Sequence, residues 1–272
     1  MSKDMKNLVE LARSARINAL KCVYCKTASH IGSGFSCADL LVYLYAKHLN
    51  ISPVSSDSAD RDRFILSKGH AAAIYYAVLA KFGFFPEEWL EKYCDNGSPL
   101  GGHIHYHVPG VELSTGSLGH GLPVAVGMAM AAKRFNKNYK VVVLLSDGEM
   151  EEGSNWEALN MAAAQGLDNL TVIVDKNGLQ AMGFTKDILP MENLAERVKS
   201  FGCDVQVIDG HDFKKMDKVF SSVPWKKDNP SMIIAETIKG KGVSFMENTL
   251  EWHYKSPNDE QFQQALTELE TA

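Results

Sequence analysis

No stretch of this 272-residue sequence holds about 18 consecutive apolar residues, so no membrane-spanning helix is expected. The N-terminus, MSKDMKNLVELARSARINAL, lacks the apolar core of a secretory signal, so none is expected. No GxxxxGKS/T phosphate loop occurs, and no GxGxxG follows a candidate strand, which disfavours a P-loop nucleotide and a nicotinamide dinucleotide. The G-x-S-x-G elbow of a Ser/His/Asp hydrolase is also missing; GSPLGG and GSGF do not match it. Five cysteines, Cys22, Cys25, Cys37, Cys94 and Cys203, make no paired framework. Cys22 and Cys25 form a CxxC inside a helical pattern, without the two further ligands that zinc requires. A reducing, cytoplasmic location is expected. Excess positive charge is lacking as well: the net charge of −5 argues against nucleic acid or an anionic membrane as partner.

What the chain has is apolar content and α/β rhythm. Hydrophobic residues make up 45% and charged residues 22%, enough for a sizeable core. Amphipathic patterns predict helices over 6–28 and 38–49, and SPVSSDSADRD (52–62) reads as a surface loop. A short strand over 63–67 precedes a helix over 69–83, and PEEWLEKYC opens another with proline in its first turn. From Gly97 to Gly121 the chain is glycine- and histidine-rich, and a loop of about 25 residues in a compact domain usually has a function. Helix 121–135 follows. Beyond it, strands at 140–146, 169–176, 203–209 and 231–238 alternate with helices at 149–167, 191–202 and 213–223, before a polar C-terminal helix. This rhythm predicts one α/β domain over 1–272, a doubly wound, mostly parallel sheet flanked by helices, with an N-terminal helical extension.

KVVVLLSDGE and NLTVIVDKNG read as buried parallel strands, because β-branched residues fill them without alternation. They deliver Asp147 and, thirty positions later, Asn177 to the carboxyl ends of consecutive strands, where open α/β sheets bind ligands. A carboxylate, an amide oxygen and free backbone carbonyls suit Mg²⁺ or Ca²⁺, with room left for phosphate oxygens. Several of the nine histidines stand beside or near glycine: His30, His70, His103 and His120 among them, with His105 and His107 close by and His253 in EWHYKSP. His48 and His211 look incidental. The spacing in HIHYH is compatible with zinc but has no neighbouring carboxylate; a pocket for an oxygen-rich ligand beside a metal–diphosphate fits the set better, and no site at all is the third reading. His70 is expected to open a helix, where its ring and the local N–H groups meet an anion.

The segment LLSDGEMEEGSNWEALNMAAAQGLDNLTVIVDKNGLQ (144–180) resembles the thiamine-diphosphate fingerprint, GDG followed about thirty residues later by asparagine. DRFILSKGHAAAIYYAVLAKFG, PGVELSTGSLGHGL and KTASHIGSG resemble transketolases in particular. The resemblance covers nearly the whole chain. It implies thiamine diphosphate and Mg²⁺ (or Ca²⁺) as cofactors, with Asp147, Asn177 and the carbonyl of Leu179 on the metal. Gly148, His70 and His253 are implied at the diphosphate, and Gly116 and Leu118 near the thiazolium and aminopyrimidine. His30, His70, His103 and His253 are implied around the reacting sugar carbons, with an unperturbed imidazole pKa suited to moving protons. Glu152 matches an acid that couples the two cofactor sites of a dimer. Ser146 replaces the first glycine of GDG, Ala181-Met182-Gly183 replaces I-D-G, and His120 stands where glutamine is common.

The family's fused chains are more than twice as long, and their pyrimidine-binding and C-terminal domains have no counterpart here. The resemblance therefore implies the N-terminal subunit of a split transketolase. Such a subunit transfers a two-carbon ketol unit from a ketose phosphate to an aldose phosphate only with a separate C-terminal subunit, in an α2β2 assembly, as in the pentose phosphate pathway or on a branched or sulfonated ketose. The alternatives are a subunit of a deoxyxylulose-phosphate synthase-like enzyme or a 2-oxoacid dehydrogenase, or a non-catalytic cofactor-binding protein.

Overall fold

A computed structural model describes residues 3–55, 57–191 and 193–271; Ser56 and Glu192, within the expected loop and helix, lie outside the described residues. Five parallel strands form the sheet: β1 (Arg63–Leu66), β2 (Val141–Ser146), β3 (Leu170–Lys176), β4 (Asp204–Asp209) and β5 (Ser231–Glu236), in the order β1-β2-β3-β5-β4. Their side chains alternate between two cores. Phe64, Leu66, Val142, Leu144, Ile173 and Ile233 join one, and Ile65, Val143, Leu145, Val172, Val174 and Ile234 join the other. Both faces are covered, which is why β2 is buried along its whole length and reads as an unbroken apolar run.

The first core is closed by α1 (Lys3–Lys26), α2 (Ile31–Tyr43), α3 (Ala72–Lys81), α8 (Phe213–Phe220) and α9 (Asp259–Thr271). The second is closed by α4 (Gly121–Arg134), α5 (Gly153–Ala164) and α7 (Leu194–Ser200); α6 (Thr185–Ile188) is a single short turn. The expected N-terminal extension is thus part of one layer. The chain leaves β3 toward the second layer through α7 and returns to β5 from the first through α8, so the winding reverses between neighbouring strands β3 and β5. A reversal of this kind opens a crevice at the carboxyl ends of the strands. Among the described residues no helix is long and apolar enough to cross a membrane.

Three expected boundaries move. α2 starts at Ile31, seven residues earlier than its apolar pattern, because Gly32 and Gly34 are helical and tightly packed: a Cβ on Gly34 would lie 3.3 Å from the Ile74 side chain. α3 starts at Ala72, so His70 sits in the turn before it and does not open the helix. PEEWLEKYC yields only a 3-10 turn, Glu87–Lys92. The glycine- and histidine-rich loop has no helix or strand but is firmly seated, with Leu100, Ile104, Val108 and Val111 buried.

Candidate functional site

All five strands end on the same side of the sheet, and each is followed by a charged or polar residue turned to a common region. Lys68 and His70 follow β1, Asp147 follows β2, Asn177 follows β3, His211 follows β4 and Lys239 follows β5. A cleft of about 220 Å³ opens there, lined by His30, His70, His103 and His253 with Gly116, Leu118, Gly148, Asn177 and Leu179. A groove of about 510 Å³ between α1 and the Glu87–Lys92 turn holds Cys22 and Cys25 beside lysines and glutamates, but no histidine and no strand-end residue lines it.

The histidines form one cluster centred on His30, whose ring lies 5.2 Å from His70, 5.7 Å from His103 and 5.2 Å from His253. His30 caps α2 with φ of 70°, a left-handed conformation that non-glycine residues rarely adopt and that concentrates at functional sites. Its N–H donates to the carbonyl of His253 (2.9 Å), and its own carbonyl accepts from Gly34 (3.1 Å). His103 is held by its backbone, since the Tyr76 hydroxyl donates to its carbonyl (3.1 Å). The loop carrying it is fastened to the end of β1 by Thr115, whose hydroxyl donates to Leu66 O (2.6 Å), and a Cβ on Gly69 would lie 2.3 Å from Thr115 O.

Burial, with help from neighbouring charges, sets the protonation of these rings. It lowers His30 to about 4, with His103, Lys239 and Lys68 adding to the effect, and lowers His253 to about 3, with Lys239 foremost among its neighbours. His70 is driven well below the ordinary histidine value by burial and then by Lys68. The unperturbed imidazoles expected from the sequence are therefore not what the fold provides. These three rings are neutral at pH 7 and act as hydrogen-bonding groups.

Beneath the rings lie two lysines that sequence reasoning passed over. Lys68 is fully buried and donates to Asp175 and to Ser33 O (3.0 Å). Burial, the largest single influence, would lower its ammonium, but Asp175 together with Cys37 and Asp147 outweighs it and the net shift is upward. Asp175 is itself pushed up by burial, yet Lys68, Ser36 and Thr237 hold it below its ordinary value. Lys239 is equally buried but among the described residues has no carboxylate in contact: its Nζ meets Leu179 O (3.2 Å) and His253 Nδ1 (2.9 Å). Burial, then Lys68, lowers it to about 8. An ammonium only donates, so His253 Nδ1 accepts and its ring proton rides on Nε2.

Asp147 and Asn177 come together as the strand ends predict. The Asp147 carboxylate accepts from Gly148 N (3.0 Å) and from Gly178 N (2.7 Å), the second bond tying the loop after β2 to the loop after β3. Burial, then the charge of Asp175, pushes its carboxyl up to about 6. Asn177 Oδ1 accepts from Leu179 N (3.1 Å). The donors gathered here, a carboxylate, an amide oxygen and the Leu179 carbonyl, are all hard oxygens.

Other singled-out residues stand apart. Glu152 is exposed at the N-cap of α5, against Gly119, and does not line the cleft. The buried acid nearby is Glu149, which sequence reasoning missed; it accepts from Ser67 Oγ, Gly119 N (3.0 Å) and Ser146 N (3.3 Å). Ser146 fits in place of glycine because it is the last residue of β2, and its hydroxyl accepts from Glu149 N (3.3 Å). Ala181 lines the cleft while Met182 is 72% exposed. His120 is exposed, its Nδ1 3.0 Å from Leu118 O. His105 and His107 stack with ring centroids 4.8 Å apart on the surface, and among the described residues no group of three His, Cys, Asp or Glu is placed to hold a metal. His211 is not incidental, since its ring joins a buried charge cluster with Asp39.

Comparison with known proteins agrees with this geometry. Residues 8–270 match the family model for the transketolase thiamine diphosphate binding domain. An apulose-4-phosphate transketolase subunit of Actinobacillus succinogenes is 46% identical over 241 residues, covering 88% of this chain and 87% of that protein. The 6-deoxy-6-sulfo-D-fructose transketolase subunit SqwG of a Clostridium species is 37% identical over 242 residues, covering 89% of this chain and 88% of that protein. The solved transketolase of Campylobacter jejuni superposes with a TM-score of 0.92 at 30% identity, covering 99% of this chain but 43% of the longer one.

Proposed function

Because this chain belongs to the transketolase thiamine diphosphate-binding family, we propose that it is the N-terminal subunit of a split transketolase, working in the cytoplasm with a separate pyrimidine-side subunit. The relatives named as transketolase subunits, of about the same length as this chain, support the split; the solved transketolases, of which it spans about two-fifths, support a missing half. Two copies of each subunit in twofold symmetry, α2β2, place two sites at subunit interfaces.

The observation that carries the reading is the pairing of a histidine cluster with a buried lysine that lacks an anion. Among the described residues Lys239 has no carboxylate in contact and feels Asp147 and Asp175 only at longer range, so a diphosphate seated in the cleft would supply the direct counter-charge. Asp147 is a buried carboxylate with a raised pKa, which a divalent cation stabilises in its ionised form. The residues therefore fit both groups: Asp147, Asn177 and Leu179 O for Mg²⁺, and Gly148, His70, His253 and Lys239 for the diphosphate. Thiamine diphosphate supplies the electron sink for cleaving and forming a carbon–carbon bond beside a carbonyl.

This chain's own groups do the rest. Neutral His30, His70 and His253 hydrogen-bond sugar hydroxyls, and His253 presents its Nε2–H. His103, on the seated loop, closes the cluster from the opposite side. Burial excludes water from the floor. The donor is a ketose phosphate or a sulfonated ketose, and the acceptor an aldose phosphate. The apulose and sulfofructose names of the relatives favour a specialised ketose over the common pentose phosphates.

Donor cleavage with Mg²⁺ and thiamine diphosphate, assayed with xylulose 5-phosphate, apulose 4-phosphate and 6-deoxy-6-sulfofructose, tests this reading. Turnover of one donor only when the partner subunit is present supports it. Turnover by this chain alone sinks the split-enzyme reading.

A further inference from the structure

We propose that His211 is a positioning residue for Lys239, setting the lysine in the cleft through the backbone amide of Ile238; the inference rests on the reading of the cleft as a diphosphate site. His211 follows β4, and its ring bridges two parts of the fold. Nδ1 lies 2.7 Å from Asp39 Oδ2, and the Ile238 N–H donates to Nε2 (2.9 Å). A ring nitrogen that accepts an N–H carries no proton, so the imidazole proton sits on Nδ1 and is donated to Asp39. Asp39 accepts from both terminal nitrogens of Arg16 (3.1 and 2.6 Å), and Arg16 also donates to Phe35 O (3.0 Å). Arg16 and Asp39 are buried, so this chain of donors fixes both the tautomer and the tilt of the ring.

Ile238 lies two residues beyond the end of β5, and His211 gives its amide the acceptor that a neighbouring strand would otherwise provide. The residues on either side are fixed by different contacts. Thr237 donates its hydroxyl to Asp175, and Gly240 N donates to Gly32 O (3.0 Å). Between these anchors Lys239 turns inward. Its stem passes Gly32, where a Cβ would come within 3.3 Å of Lys239 Cγ, and its Nζ reaches Leu179 O and His253. Removing the acceptor from Ile238 leaves a half-buried amide unpaired in the residue before the lysine, and the strand end re-aims to satisfy it.

The test is a double-mutant cycle of His211→Phe with Lys239→Met in the full chain assembled with its partner subunit. Calorimetry reads the dissociation constant for thiamine diphosphate with Mg²⁺, and amide exchange is followed over 237–240. His211→Phe is expected to weaken binding by about ten- to a hundred-fold, the range for groups that orient a ligating side chain. It should also speed exchange at Ile238. His211→Gln, which accepts from Ile238 and donates to Asp39, should restore both. In the Lys239→Met background His211→Phe should cost nothing further. Equal losses with and without Lys239, or unchanged affinity in His211→Phe, would overturn the proposal. Should His211→Phe not fold, His211→Asn, which is too short to serve both partners, carries the same comparison. Unchanged affinity in Lys239→Met alone would overturn the diphosphate reading, and the positioning role with it.

Discussion

Two buried charge clusters flank the end of β5, and only one closes on itself. In the first, Arg16 and Asp39 balance one another's charge and His211 bonds to Asp39, leaving only Arg16 Nε without a partner among the described residues: burial pushes the Asp39 carboxyl up, but Arg16 and His211 outweigh it and hold it at about 2. In the second, Lys68 has Asp175 while Lys239 has only a carbonyl and a neutral imidazole. A closed cluster does structural work, because breaking it strands a charge. On the proposed reading, the open cluster is completed by a bound diphosphate.

The largest effect should come from the metal end of the open cluster. Asp147→Ala is expected to abolish Mg²⁺-dependent binding of thiamine diphosphate, read by calorimetry; retained tight binding would show that the metal seat is elsewhere. Next, Arg16→Met and Lys239→Met should separate the clusters. Arg16→Met leaves the buried Asp39 without its cationic partner, with only the His211 imidazole on it, and should cost about 3–5 kcal/mol in urea unfolding. Lys239→Met removes a buried charge with no carboxylate partner and should leave stability unchanged or raised. Similar destabilisation by both would erase the distinction between the clusters.

His103→Ala comes third. It should slow ketol transfer by about 10²–10⁴-fold, the span of a positioned proton-handling group, while sparing cofactor affinity. A loss of folding instead would make this histidine structural. The smallest effect is on acid stability. The folded pKa of Asp39 is depressed, so its stabilisation is present above the unfolded value near 3.8 and is lost as pH falls through about 2. Between those limits the unfolding free energy of wild type should fall with pH more steeply than that of Asp39→Asn; parallel curves would contradict the assignment.

The Asp147–Asn177 side of the site was legible from sequence because its signal is local. Asp147 and Asn177 each end an apolar run, and both faces of β2 and β3 are buried, so periodicity and position agree. Lys68 and Lys239 were not legible, because a lysine in SKGH or TIKGKG looks like any solvated charge until the fold buries it. His211 was missed for a related reason. Its partners Asp39 and Ile238 come from α2 and from the end of β5, and no spacing within DGHD reveals them. The early start of α2 was hidden because ASHIGSG has loop composition, although its glycines serve close packing against Lys239 and Ile74.

The most direct test of the open cluster is the ligand-induced shift in the unfolding midpoint, measured on wild type and Lys239→Met with Mg²⁺ and either thiamine diphosphate or thiamine. A ligand at about 100 times its dissociation constant adds about 2.7 kcal/mol to the native state, which is readily resolved. The account predicts that thiamine diphosphate raises the wild-type midpoint, that thiamine does not, and that Lys239→Met loses most of the shift. Equal shifts with thiamine, or an undiminished shift in Lys239→Met, would contradict it.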